Sequence, residues 1–156
     1  VFTILLTLPV WGNMLVDYRF RSQNFNLSKP PVYQAISTEI QKHTSAGEIV
    51  LTNLDAWGAW YFDLTTMWFP ISPDILVNSS SDQNYAQYIA ITNYKESDGD
   101  FALGQWAEVV YSPYSLNNQF LSQHYSVLTT FVIKADQVYE NQSYQGTILT
   151  KKETTY

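Results

Sequence analysis

Between residues 30 and 94 the apolar residues switch repeatedly between helical and strand spacing, and this alternation limits the chain to few folds. Pro30 and Pro31 suit the first turn of a helix, because proline lacks the N–H that a helix start leaves unused. Val32, Ile36 and Ile40 then recur at helical spacing, and Ala35 joins their face. Gly47 predicts the stop. Residues 48–53 (EIVLTN) predict a short apolar strand. Asn53 or Asp55 can cap a following helix over LDAWGAWYFD, since either side chain accepts from orphan backbone N–H groups. Residues 66–69 (TMWF) predict a second strand closed by Pro70, and residues 88–94 (YIAITNY) a third. Between them, residues 71–87 read as loop with one helical turn around Tyr85. This order predicts a parallel sheet with right-handed crossovers, in which the strand at residues 48–53 is central.

Beyond Tyr94 the pattern is more broken. Residues 96–100 read as a turn, and residues 101–109 and 115–122 as short helices. Residues 125–132 alternate and are rich in β-branched and aromatic types. Residues 138–140 and 147–150 predict a closing β-hairpin around Tyr144, Gln145 and Gly146. The expected fold class is α/β, with a small, largely parallel sheet, flanking helices and a C-terminal β-hairpin, spanning residues 30–151. Residues 152–156 form a polar tail.

The first sixteen residues, VFTILLTLPVWGNMLV, carry no charge, and the first charged residue is Asp17. A membrane-crossing helix needs about 20 apolar residues. The chain begins at Val1 without Met, so residues 1–18 are expected to be the truncated end of a membrane helix, with an upstream portion missing. Residues 19–29 are then a linker. Trp11 and Tyr18 suit the membrane interface, and Pro9 and Gly12 are tolerated in such helices. A buried N-terminal core helix is the competing account of the same run. Arg19 and Arg21 argue for a cytoplasmic side by the positive-inside rule, against the topology expected below.

The chain has a net charge of −6 and a sequence pI near 4.6, and its lysines and arginines do not cluster. That excludes nucleic acid as an expected partner, because phosphate binding needs a basic face. Cysteine is absent, which excludes disulfides and thiolate chemistry. His43 and His124 have no metal-like partner at helical spacing and read as surface residues. The acids of ESDGD (residues 96–100) lack the downstream Glu of a calcium loop and read as a solvated turn. Ser112, Ser115 and Ser122 lack a nucleophile-elbow setting, and Gly58 and Gly104 are too isolated for a phosphate loop. No catalytic residue, metal site or cofactor is expected.

Aromatic residues make up 16% of the chain. Trp57, Trp60 and Tyr61, with Trp68 nearby, are dense enough for a platform on which the apolar faces of sugars stack. Core packing and contact with the bilayer interface account for the same residues. Asn26, Asn78 and Asn141 each begin an N-glycosylation sequon.

The run Ile49-Val50-Leu51-Thr52-Asn53-Leu54-Asp55-Ala56-Trp57-Gly58-Ala59-Trp60-Tyr61, with Trp68-Phe69-Pro70 closing the next strand, resembles the C-terminal region of polytopic glycosyltransferases that use polyprenyl-phosphate sugars, the dolichyl-phosphate-mannose protein mannosyltransferase-like group. Tyr88–Ile91, Tyr125–Phe131 and Val138-Tyr139 continue the resemblance, which covers residues 1–139 in element order. It departs at Asp63-Leu64-Thr65, where the family pattern has a basic residue. The Trp-Trp-Asp-Tyr-Gly signature of the related oligosaccharyltransferases is absent. The resemblance implies a membrane location, with residues 30–151 on the extracytoplasmic side. It implies a non-catalytic supporting or positioning role, because the catalytic carboxylates of such enzymes lie in an early loop absent here. The implied partners are the membrane, a polyprenyl-phosphate-linked sugar and an acceptor, met through the parent enzyme, with Trp57, Trp60 and Tyr61 as candidate substrate contacts. A membrane-anchored glycan-binding module and a structural α/β domain are the alternatives.

Overall fold

A computed structural model describes residues 28–54, 64–78, 86–96, 99 and 102–152. The expected membrane helix at residues 1–18 and most of the linker lie outside the described residues. None of the described helices is long and apolar enough to cross a membrane.

Helix α1 (Val32–Gln41) leads to β1 (Ile49–Thr52), β2 (Thr65–Trp68), a helical turn α2 (Ile75–Asn78) and β3 (Tyr88–Thr92). A 3₁₀ turn at Gly104–Trp106 runs into α3 (Ala107–Tyr111), followed by α4 (Gln119–His124), β4 (Tyr125–Ile133) and β5 (Tyr144–Lys151). The strands form one sheet in the order β2-β1-β3-β5-β4. β1 pairs in parallel with β2 on one side and β3 on the other. β5 pairs antiparallel with both β3 and β4, so four strands point one way and β5 runs against them. The expected α/β class holds, and β1 is interior as predicted. The middle of the sheet, however, belongs to β3.

Two cores explain why β1 and β3 read as unbroken apolar runs. Successive side chains of a strand point to opposite faces. Val50, Ala90 and Ile148 therefore pack with Val32, Ile36 and Ile40 of α1 in one cluster. Leu51, Ile89, Ile91 and Leu149 pack with Trp106, Val109, Phe120 and Leu121 in the other. Strands covered on both faces lose the polar alternation of a half-exposed sheet.

The predicted hairpin between residues 138–140 and 147–150 is not formed. Residues 135–137 make a 3₁₀ turn, and Val138 is fully buried in the α1 cluster. Tyr139 donates its backbone N–H to the Pro30 carbonyl at 3.1 Å. The closing antiparallel pair is β4 with β5. Gly146, predicted at a turn, sits inside β5, opposite Thr92 and Phe131. A Cβ there would lie 2.6 Å from Phe131 Cζ and 2.8 Å from Thr92 Cγ2. The Phe131 ring thus occupies the space a side chain would need. Gly146→Ala is expected to cost about 1–3 kcal/mol through overpacking, read as a lower urea midpoint.

A helical turn forms at Ile75–Asn78, and the one expected around Tyr85 lies outside the described residues. The helix expected over residues 115–122 begins at Gln119, because the Asn118 side chain accepts from the Leu121 N–H at 3.0 Å and sets the start.

Candidate functional site

β1 is followed by β2 on one side of it, and the chain then crosses to β3 on the other. Connections that depart in opposite directions leave a crevice at the carboxyl ends of the two strands, where open α/β sheets bind ligands. Here that point lies between the ends of β1 and β3.

Asn53, the first residue past β1, is fully buried there. Its Nδ2 donates to the Thr92 carbonyl at 2.7 Å, and its Oδ1 accepts from the Thr92 N–H at 3.0 Å and the Thr92 hydroxyl at 3.3 Å. The carboxamide thus copies a peptide group and extends the β1–β3 ladder beyond its last pair, Thr52 with Ala90. The helix that Asn53 or Asp55 is predicted to cap lies outside the described residues.

Past β3 the chain turns sharply. The Asn93 N–H donates to the Gln145 carbonyl at 3.0 Å, and the Gln145 N–H donates to Asn93 Oδ1 at 2.8 Å. The Glu96 N–H donates to the Asn93 carbonyl at 3.3 Å, with Lys95 in the left-handed region at φ 55°. This turn, the end of α3 and the approach to β5 enclose an open cleft of about 440 Å³ lined by Asn93, Lys95, Glu96, Tyr111, Gln142 and Tyr144. The Tyr111 hydroxyl donates to the Glu96 carboxylate. The Tyr144 hydroxyl donates to Gln142 Oε1 at 3.3 Å. The Tyr144 ring meets Tyr94 edge-on at 5.7 Å, and Lys95 Nζ lies 5.6 Å from the Tyr94 centroid.

Electrostatics keep these phenols neutral. Partial burial, then the bond to Glu96, raises the Tyr111 hydroxyl above its ordinary value, while Asn93 donating to it opposes the shift. Burial, reinforced by Glu140 and the neighbouring tyrosines, pushes Tyr94 up to about 12. A raised folded value favours the protonated native state, so this contribution is complete below pH 10, the unfolded value. It is lost as the pH climbs from there through about 12. Stability is expected to fall across that window, with a shallower fall in Tyr94→Phe, measured by urea denaturation at stepped alkaline pH.

Three other acids are also bonded, two of them to backbone. Glu140 accepts from the Val32 N–H through both oxygens, at 3.1 and 2.9 Å, at the positive end of α1. Glu108 accepts from the N–H groups of Asn117 and Asn118 at 2.8 and 3.0 Å. Asp74 accepts from Asn118 Nδ2 at 2.8 Å. At the opposite edge of the sheet a second opening of about 410 Å³ includes Ser115, Ser122 and Lys152, whose Nζ donates to the Ser122 carbonyl at 2.6 Å.

Trp57, Trp60 and Tyr61 lie outside the described residues, in the segment joining Leu54 to Leu64. Trp68 stands at the carboxyl end of edge strand β2, in register with Thr52, and is half exposed. His43 is exposed beyond α1, and His124 stacks near the Phe120 ring at 4.8 Å; neither lines the cleft. Among the described residues no three or more His, Asp or Glu gather as metal ligands. Glu96 belongs to the acidic turn read as solvated, while Tyr111, Gln142 and Tyr144 carry no local motif that singles them out. No protein-family model, curated protein or solved structure matches the chain.

Proposed function

We propose that this chain is a non-catalytic, substrate-positioning domain of a membrane glycosyltransferase that uses a polyprenyl-phosphate-linked sugar. The observation that carries the reading is the carboxyl edge of the sheet. An open cleft of amide, carboxylate and phenol groups lies there, just past the end of β3. Such groups hydrogen-bond and stack on sugars. Glu96 has a tyrosine as its partner, and among the described lining residues it is the single acid. The membrane location and the polyprenyl-linked donor rest on the sequence resemblance alone.

The test uses the full-length parent enzyme and the isolated chain together. Trp57→Ala or Trp60→Ala in the parent should lower turnover partially, by about 10-fold, the loss of one stacking contact of roughly 1–3 kcal/mol seen for aromatic platforms. The isolated chain should transfer no sugar from a polyprenyl-phosphate donor. Full activity in both variants removes the positioning role, and turnover by the isolated chain removes the non-catalytic one.

A further inference from the structure

The cleft at the end of β3 has a chemistry that selects among sugars and phosphates. Its volume of about 440 Å³ falls in the range of small-molecule sites, and it can admit a single pyranose ring. Sugar hydroxyls each donate and accept, so they are matched by side chains that offer both functions in a fixed direction. Asn93 is fixed in this way. The Gln145 N–H holds its Oδ1 at 2.8 Å, which assigns the amide and leaves Nδ2 as the donor, one of its two hydrogens meeting the Tyr111 hydroxyl. Glu96 supplies a carboxylate that accepts from two adjacent hydroxyls, and Gln142 supplies a second amide. The Tyr111 ring is 48% exposed and offers an apolar face.

Charge argues against an anion. Lys95 is the single cation among the described lining residues, and it stands next to Glu96 in a chain of net charge −6. A carboxylate at the cleft repels a phosphate.

Backbone strain marks the same place independently. Among the described residues, the non-glycine residues with positive φ are Lys95 at 55° and Asn141 at 52°. Lys95 precedes Glu96 and Asn141 precedes Gln142, so both unusual conformations aim residues that line the cleft. Left-handed backbone at non-glycine positions collects where a fold must hold a ligand-facing group in a set direction.

We infer that Asn93, Glu96, Tyr111 and Gln142 form a subsite for an uncharged saccharide ring, the kind an acceptor glycan presents, and not for the phosphate of the donor. This rests on the sugar-positioning role proposed above and narrows it to the acceptor side. The ring lies against Tyr111, with its hydroxyls bonded to Glu96 and the two amides. Binding displaces the Tyr111 hydroxyl from Glu96.

The experiment is a titration of the isotope-labelled full chain, followed by amide nuclear magnetic resonance. The probes are the methyl glycosides of mannose, glucose and galactose, with inorganic phosphate as the charged control. At least one glycoside should produce saturable shifts at the amides of residues 93–96, 111 and 142, with millimolar affinity, and phosphate should produce none. Glu96→Gln and Tyr111→Ala change exposed side chains, so the spectrum should stay folded while the affinity falls about tenfold in each. Absence of saturable shifts with all three glycosides overturns the subsite, as does a phosphate response at these amides. If the titration fails while Trp57→Ala still weakens the parent enzyme, the positioning role survives and this subsite falls. If the titration succeeds and the isolated chain turns over donor, the subsite survives and the non-catalytic reading falls.

Discussion

Replacing Trp106 with alanine is expected to cost about 3–5 kcal/mol, the range for removing a buried indole from a packed core. Trp106 is fully buried at the junction of the 3₁₀ turn and α3. It belongs to the cluster that covers one face of the sheet, and its ring meets Phe69 edge-on at 6.2 Å. Its Nε1 donates to the Pro70 carbonyl at 2.7 Å, tying the segment after β2 to the start of α3. Alanine therefore removes the apolar contacts, leaves a cavity and strips the carbonyl of its donor. Domains of ordinary stability hold about 5–15 kcal/mol, so this single change removes a large share. The measurement is the urea midpoint at constant m-value. Trp106→Phe keeps most of the volume and loses only the hydrogen bond, at about 1–2 kcal/mol beyond the small change in packing. A loss below 1 kcal/mol for the alanine variant would show that this cluster is not the core it is described to be.

Asn53→Ala is expected to cost about 2–4 kcal/mol, a large effect for a change of one small polar side chain. The methyl group leaves the N–H and the carbonyl of Thr92 without their partners, and Thr92 is fully buried. Each orphaned buried group costs about 1–3 kcal/mol. Asn53→Asp does no better. Its carboxylate can accept from the N–H, but it cannot donate to the carbonyl, and it brings a buried charge. Both variants should also disturb the amide spectrum at residues 92–96, because the cleft turn begins one residue past Thr92. Calorimetry gives the energy, and the spectrum shows whether the damage reaches the cleft.

The parts of the fold legible in the sequence are those in which one physical cause sets the pattern. Val32, Ile36 and Ile40 recur at helical spacing because one side of α1 is buried. β1 and β3 are short apolar runs because helices cover both their faces. In the C-terminal third, tertiary contact overrides the local signal. Gly146 looks like a turn residue, yet it is there because the Phe131 ring fills its side-chain space. Val138 and Tyr139 look like a strand, but Val138 serves the α1 core and Glu140 caps that helix.

The cleft was not legible for a related reason. Residues 93–96, Tyr111, Gln142 and Tyr144 converge because β3 and β5 pair antiparallel and α3 ends beside them. No spacing along the chain encodes that convergence. Asn53 stood out as a polar residue at the end of an apolar run. A helix cap and a ladder extension give that same local sign, and the bonds to Thr92 come from a strand that local sequence does not name.

The proposed positioning role is tested most directly by the steady-state kinetics of the proposed parent glycosyltransferase carrying Glu96→Gln. If the domain binds the acceptor's saccharide and takes no part in bond-making, KM for the acceptor rises and kcat is unchanged, the pattern for loss of uniform binding. An unchanged KM, or a loss confined to kcat, would contradict it.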